Sequence, residues 1–403
     1  MEFVVIDGLG IIETHPIQYH APIYRCLQQQ FDIPVTVIYG SDCSIRGYRD
    51  KEFGETFAWD TDLLSGYKSI FLSQTSNNNV SDVDNIRPLL LRKILKELGP
   101  KAVLINGYWP HFNRRAIYEC WRLGLPIFFR GDTTDHAWSR PFLKRIVRDL
   151  LLRFFYRRCQ KLLYVGKNSY RHYERLGVRK EKLISSPHCV DLFPFRADEA
   201  ARAELRQNKR LQLGIPDEHI VLIYSGKLSP RKDPGLIIRA VRLLSPDLRN
   251  KITVIFLGNG ELKEKLKRTA ATEPRVNSVF TGFQNQSQLS EYYHSADLLI
   301  LPSRHAETWG LVANDALHHG VPCLVSDAVG CAPDLIESGR TGEVFKSQSA
   351  SDLSAAIQKA ICLINRKDIR ESCRKKMENY TVEKAAEGIA AAYFSIESHD
   401  DVD

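Results

Sequence analysis

No stretch of this chain approaches the ~18 uninterrupted apolar residues that a membrane-spanning helix needs, which argues against an integral membrane protein. The nine cysteines are scattered, odd in number and without a Cys-x-x-Cys, so no zinc pattern is visible and free thiols in a reducing compartment are expected. Met1 to Asp7 carries acids where a secretory signal would carry bases, so a cytoplasmic location is expected. Internal repeats are absent, and so is low complexity beyond Asn77-Asn78-Asn79. No nucleic-acid recognition motif is visible, so no nucleic-acid partner is expected.

What is present is an ordinary globular composition on a long chain. With 403 residues, 43% hydrophobic and 26% charged, two domains of roughly 150 to 200 residues are the natural reading. The net charge of +8 is unevenly placed: residues 1–100 balance to −4, residues 101–200 to +11 and residues 201–403 to +1. Much of the excess lies in Arg140 to Lys161, with eight bases and one acid, Asp149. Leu143, Ile146, Val147, Leu150, Leu151 and Phe154 recur there at helical steps. The pattern fits a domain helix with its apolar stripe in the core, or a contact with an anionic membrane surface.

Two charged constellations stand out in the second half. His219 to Tyr224 reads as a buried strand and Asp233-Pro234 as a helix start, so Lys227 and Lys232 flank a strand-to-helix turn, where open α/β sheets bind ligands. An ammonium ~4 Å from a phosphate oxygen gains roughly 4 kcal/mol at an effective dielectric of ~20, before desolvation. Two such groups could stand in for a metal ion; a solvated turn is the plain alternative. Further on, Leu311 to His319 reads as a helix with Thr308 or its neighbour as N-cap, leaving the amides of Trp309, Gly310 and Leu311 outward for an anion. Glu307 before it could accept from sugar hydroxyls and Asp315 from a ribose; a capping acid and a surface acid are the plain alternative.

From about Leu211 to Ile361 the chain resembles the nucleotide-binding half of retaining glycosyltransferases of family 4, the group 1 glycosyl transferases. The pieces occur in family order: Gly226-Lys227-Leu228 with Lys232, Phe256 to Leu262, Phe280-Thr281-Gly282-Phe283, Ser295 to Ser303, Glu307 to Leu311, Gly320 to Asp327, Val329-Gly330 and Gly339 to Gly342. Two positions depart: Lys227 stands where the family usually has arginine, and Asp315 where it has a second glutamate. Both keep the charge and change the reach.

The resemblance implies an α/β protein of the GT-B fold, two doubly wound Rossmann-like domains facing a central cleft. The expected layout is an acceptor-binding domain over 1–195, a linker over 196–217, a nucleotide-sugar domain over 218–380, and a C-terminal helix and tail over 381–403 packing back on the first domain. It implies transfer of a sugar from a nucleotide-diphosphate sugar to an acceptor hydroxyl with retention, needing no metal or other cofactor. The acceptor could be a sugar, a lipid-linked glycan or a small molecule, and the location cytoplasmic or peripheral on the inner face of a membrane. The donor site would comprise Gly226, Lys227, Lys232, Gly282, Phe283, Glu307, Thr308, Trp309, Gly310, Leu311 and Asp315. A nucleotide-sugar epimerase of the same fold, or a non-catalytic partner with a relic site, would also fit.

The N-terminal half is less familiar. Strands are expected near Leu9 to Glu13, Pro34 to Tyr39, Lys101 to Ile105, Pro126 to Phe129 and Lys161 to Val165, with helices between them. Ser41 to Ser69 reads as irregular, a plain surface excursion or an acceptor loop. After the first strand, where relatives often have a glycine-rich loop, stand His15, Gln18 and His20, which could donate to sugar or phosphate. Arg130 occupies roughly the place of a histidine in many relatives, and with Asp132 could hold an anionic acceptor and orient its hydroxyl, or form a buried structural pair. Lys227, Lys232, Glu307, Arg130 and Asp132 are therefore the expected catalytic groups, with His15, Gln18 and His20 in the cleft.

Overall fold

The computed structural model describes residues 8–49, 56–57, 59–73, 88–135, 141–192, 199–272 and 275–400. Met1 to Asp7, Asn77 to Asn79, Arg140, residues 193–195 of the expected first domain, residues 196–198 of the expected linker and residues 401–403 of the expected tail lie outside them. In chain order the first half forms β1 (Leu9–Glu13), α1 (Ala21–Gln30), β2 (Val35–Tyr39), α2 (Cys43–Arg46), β3 (Tyr48–Arg49), β4 (Thr56–Phe57), β5 (Lys68–Phe71), α3 (Pro88–Leu98) and β6 (Ala102–Asn106). It continues with α4 (His111–Arg122), β7 (Ile127–Gly131), α5 (Phe142–Arg158), β8 (Lys161–Tyr164), α6 (Lys167–Arg175) and β9 (Leu183–Ser185). After α7 (Glu199–Gln212) come β10 (Ile220–Ser225), α8 (Gly235–Arg242), α9 (Pro246–Asn250), β11 (Ile252–Leu257), α10 (Lys263–Ala271), β12 (Asn277–Gly282), α11 (Leu289–Ser295) and β13 (Leu298–Leu301). The chain closes with α12 (Val312–His318), β14 (Cys323–Ser326), α13 (Ala332–Leu335), β15 (Gly342–Phe345), α14 (Ala350–Ile364), α15 (Ile369–Met377) and α16 (Val382–Asp400).

Two parallel sheets result, ordered β5-β2-β1-β6-β7-β8-β9 and β12-β11-β10-β13-β14-β15. Their central strands are continuous β-branched and aliphatic runs because helices cover both faces; β1, β2, β11 and β13 are buried at every position. The two edge strands of the first sheet have no such run. β5 is an edge strand whose Lys68 and Ser69 interrupt the pattern, and β9 is three residues long. β5 begins inside the stretch read as irregular, which also holds α2 and the small antiparallel pair β3–β4.

The segment read as a linker is largely helical. α7 packs on α11 of the second domain, and Arg210, almost fully buried, joins Arg206 on Asp297 at 2.8 and 2.7 Å. The closing helix α16 returns to the first domain, lying on α1 and β9 with Ala385, Ala386, Ile389 and Ala390 in that domain's core. The approach needs Gly388, where a Cβ would stand 1.9 Å from the Ser185 carbonyl oxygen.

Helix α5 corrects one expectation. Leu143, Val147, Leu150, Leu151 and Phe154 are each more than half exposed, and Ile146 is also on the surface. The core takes Leu152, Phe155 and Tyr156, a different stripe of the same helix.

Candidate active site

Each sheet grows first in one direction and then in the other, turning between β1 and β6 in one domain and between β10 and β13 in the other. Loops leaving the strand ends at such a point diverge and open a crevice, so ligand sites form there. Lys227 and Lys232 follow β10 and Glu307 follows β13, at the crevice of the second domain.

In the second domain the loops after β10, β11 and β12 are drawn tightly together: Gly226 N donates to Leu257 O and Gly258 N to Gly282 O, each at 2.9 Å. A Cβ on Gly258, whose φ is +142°, would lie 2.0 Å from the Gly226 carbonyl oxygen, so glycine is required. Half-buried Gly226, Lys227, Gly282 and Phe283 occupy this rim. The Tyr224 hydroxyl donates to the Lys227 carbonyl at 2.6 Å.

Glu307 follows β13 and meets this rim. Lys232 Nζ donates to its Oε2, Ser303 Oγ donates to the same oxygen at 2.9 Å, and Arg231 Nη1 stands 3.7 Å away. The Lys232 and Glu307 side chains are only 13% and 11% exposed, so the pair sits where its attraction is poorly screened. Burial pushes the Glu307 carboxyl up, but Lys232, the hydrogen bonds from Lys232 and Ser303, and Arg231 together hold it below its ordinary value. The loop carrying it is fixed by Ala306, at φ +54°, whose carbonyl accepts from Arg231 Nη1 at 3.1 Å. A non-glycine residue in that region costs of order 1–3 kcal/mol.

The helix start differs from expectation. α12 begins at Val312 with Leu311 at the N-cap, and Thr308 does not cap it: its hydroxyl donates across the domains to Asp132 Oδ2 at 2.6 Å. Trp309 is buried, its indole N–H donating to Asn314 Oδ1 at 2.8 Å and its ring beside His188 and Tyr380. It packs on Gly166, where a Cβ would come within 2.3 Å of the ring. Trp309 is thus part of the domain junction, with Gly310 beneath it against Leu301 and Val329. The junction continues through Lys167 N on Asp334 at 3.0 Å, Asn168 Nδ2 on Gly330 O at 3.1 Å and Asn314 Nδ2 on His188 O at 3.1 Å.

Asp315 does not keep the charge that its sequence position suggested. It is fully buried on α12, its Oδ1 has no hydrogen-bond partner, and burial pushes its pKa up to about 8. At neutral pH it is a carboxylic acid, close to Tyr19 of the first domain and to Tyr293.

At the crevice of the first domain, Glu13 ends β1 and Asn106 ends β6. Buried Glu13 Oε1 receives three donors: His20 Nδ1 at 2.7 Å, Asn106 Nδ2 at 2.6 Å and the Tyr24 hydroxyl. Burial alone would raise this carboxyl; His20, through its charge and hydrogen bond, with Tyr24 and Asn106, brings it below its ordinary value. His20 and Asn106 line a cavity of about 700 Å³ that reaches the second domain at Ala306 and Thr308 and is also lined by Tyr108, Trp109, Asp132 and His188.

Of the three polar residues expected after the first strand, only His20 lines this cavity. His15 Nδ1 pairs with Thr14 Oγ1 at 2.8 Å, and Gln18 is buried beside Tyr19. Arg130 reaches the cavity wall, but Nε donates to Ser186 O and Oγ at 3.2 and 3.0 Å and Nη2 to Pro187 O at 2.8 Å. Its guanidinium clamps the turn after β9 and Asp132 belongs to Thr308, so the two form no pair of their own.

Glu13, Asn106, His188 and Ser303 were not singled out beforehand. A glutamate ending a buried strand was the available sign for Glu13. His188 follows β9, too short a strand to announce a site. Among the described residues no group of three or more His, Cys, Asp or Glu is placed to hold a metal ion.

Residues 206–379 match the family model of glycosyl transferases group 1, so the second domain is of that kind. D-inositol 3-phosphate glycosyltransferase of Streptomyces scabiei is 33% identical over 181 residues, 43% of this chain and 38% of that protein. Lipopolysaccharide 1,2-N-acetylglucosaminetransferase of Salmonella typhimurium is 28% identical over 228 residues, 55% of this chain and 54% of that protein. The chain thus spans about half or less of the length of these curated relatives. Among solved structures, Anabaena Alr3699/HepE in complex with UDP and glucose superposes with a TM-score of 0.68 at 16% identity, covering 96% of this chain and 100% of that one. WaaG, a glycosyltransferase involved in lipopolysaccharide biosynthesis, gives 0.64 at 17% identity, covering 95% and 98%. The architecture is the two-domain GT-B fold.

Proposed function

We propose that this chain is a glycosyltransferase that moves a sugar from a nucleoside-diphosphate sugar to an acceptor hydroxyl, with retention and without a metal ion. The observation that carries the reading is the buried Lys232–Glu307 pair at the β10/β13 crevice, with Lys227 on the same loop after β10 and with Ala306 and Thr308, on either side of Glu307, lining the cavity between the domains. Lys232 and Lys227 would take up the charge that collects on the departing diphosphate, the role a divalent cation would otherwise fill. Glu307 would exchange part of its contact with Lys232 for hydroxyls of the donor sugar. The acceptor oxygen would bond to the anomeric carbon on the face from which the phosphate oxygen leaves, and that oxygen would take the acceptor's proton. The protein then needs no nucleophile. The exposed stripe of α5, among its cations, would rest on an anionic membrane surface; no described helix is long and apolar enough to cross one.

A panel of nucleotide sugars tests the reading by thermal stabilisation. A donor at a hundred times its Kd adds about 2.7 kcal/mol, which at roughly 2–4 °C per kcal/mol is readily seen. Stabilisation by one donor, and sugar transfer that survives EDTA, are expected. Stabilisation by none would overturn the proposal, conversion without an acceptor would make it an epimerase, and binding without turnover a relic. Salt-sensitive sedimentation with anionic vesicles tests the membrane contact, and absence of binding at low salt would remove it.

A further inference from the structure

A second hollow, of about 460 Å³, opens between α4 and α5. Its walls are apolar, formed by Ile117, Trp121, Leu151, Leu152 and Phe155. Tyr108 and Arg148 line both this groove and the catalytic cavity, so the two spaces meet across those side chains. On its outer side the groove runs into the exposed stripe of α5, where Leu150 and Leu151 are 59% and 65% exposed.

We infer that this groove holds the hydrocarbon chain of an amphiphilic acceptor, whose phosphate linker lies against Arg148 and Arg114 and whose sugar end enters the catalytic cavity. This rests on the transferase reading and narrows the acceptor to a lipid-linked one.

Three observations choose this occupant. The groove is continuous with the reaction site, so a chain lying in it would deliver its polar end to the chemistry. The cations at the junction are available: Arg175 binds Asp135 at 2.6 and 2.8 Å and Asp149 at 2.5 and 3.1 Å, leaving Arg148 only long contacts of 3.4 and 3.5 Å to those acids. Arg114 lies over the Trp109 ring, 5.1 Å from its centroid. Finally, α5 carries Lys144, Arg145, Arg148, Arg153, Arg157 and Arg158 against the single acid Asp149, so a second copy packed face to face would bring like charges together.

Butyl phosphate, octyl phosphate and octyl glucoside, kept below micelle-forming concentrations, serve as probes by calorimetry on the full chain. Each added methylene that enters the groove should tighten binding about fourfold, and octyl glucoside should bind more weakly than octyl phosphate. Leu151→Ser, in the groove wall, should weaken octyl phosphate about tenfold. Leu143→Ser, on the same exposed helix but outside the groove, should leave it unchanged; both positions are exposed, so neither change threatens folding. Affinity independent of chain length, an equal effect of the two variants, or a dimer that covers Leu151 would overturn the inference. Donor-dependent thermal stabilisation of the same samples separates the two ideas: its presence without chain-length dependence sinks only the groove, and its absence sinks the transferase reading itself.

Discussion

Replacing Asp315 by asparagine should make the protein more stable, and the gain should grow with pH. The folded chain holds this carboxyl at about 8 by burial, against an ordinary 3.8. Between those values the unfolded chain has released a proton that the folded chain keeps, so stability falls as pH rises. Each unit is 1.36 kcal/mol, which makes the cost about 4 kcal/mol at pH 7 and about 6 kcal/mol once the pH passes 8. Asparagine has the same shape and no proton to lose. Urea unfolding of both proteins at pH 5 and pH 8 should therefore show the advantage of Asp315→Asn widening by about 4 kcal/mol between the two. His318 and His319, held by burial at about 4 and about 3, also titrate differently on folding, but they are common to both proteins and cancel. An advantage that stays flat from pH 5 to pH 8 would mean that Asp315 is ionised and solvated in the folded chain, and the account of its burial would be refuted.

Lys232→Ala should lower turnover a hundredfold or more while circular dichroism stays native, because Ser303 and Arg231 still hold Glu307; near-normal turnover would remove Lys232 from the site. Arg130→Lys forfeits donors to Ser186 and Pro187 and should cost about 2–4 kcal/mol in urea unfolding, since each buried partner left unmade costs about 1–3. A raised acceptor KM at unchanged stability would instead return Arg130 to substrate contact. Thr308→Val removes the hydrogen bond to Asp132 and should favour a more open arrangement of the domains, read as a larger maximum dimension in small-angle scattering.

Local patterns carried much of the architecture. Strands such as Ile220–Ser225 and Leu298–Leu301 lie in parallel sheets covered on both faces, so burial demands apolar residues at every position and the strand announces itself. β5 and β9, at sheet edges, feel that demand weakly and left no comparable trace. Helix α5 shows the opposite limit: the spacing of Leu143 to Phe154 marked an amphipathic helix correctly, yet apolar residues lie on more than one face, and spacing cannot say which face the sheet covers. For the donor site, charge and motif drew attention to Lys232 and Glu307, which are 75 positions apart and form one ion pair.

From its sequence alone this protein is two α/β domains, with cations and acids at strand ends of the second, because hydrogen-bonding and burial periodicities act within a few residues. Tertiary structure decided which strand ends are neighbours: Glu13 bonds Asn106 across 93 positions and Asp132 bonds Thr308 across 176. It decided ionisation too. A carboxyl's charge depends on what surrounds it, and for Asp315 the surroundings exclude water, while for Glu307 they supply Lys232.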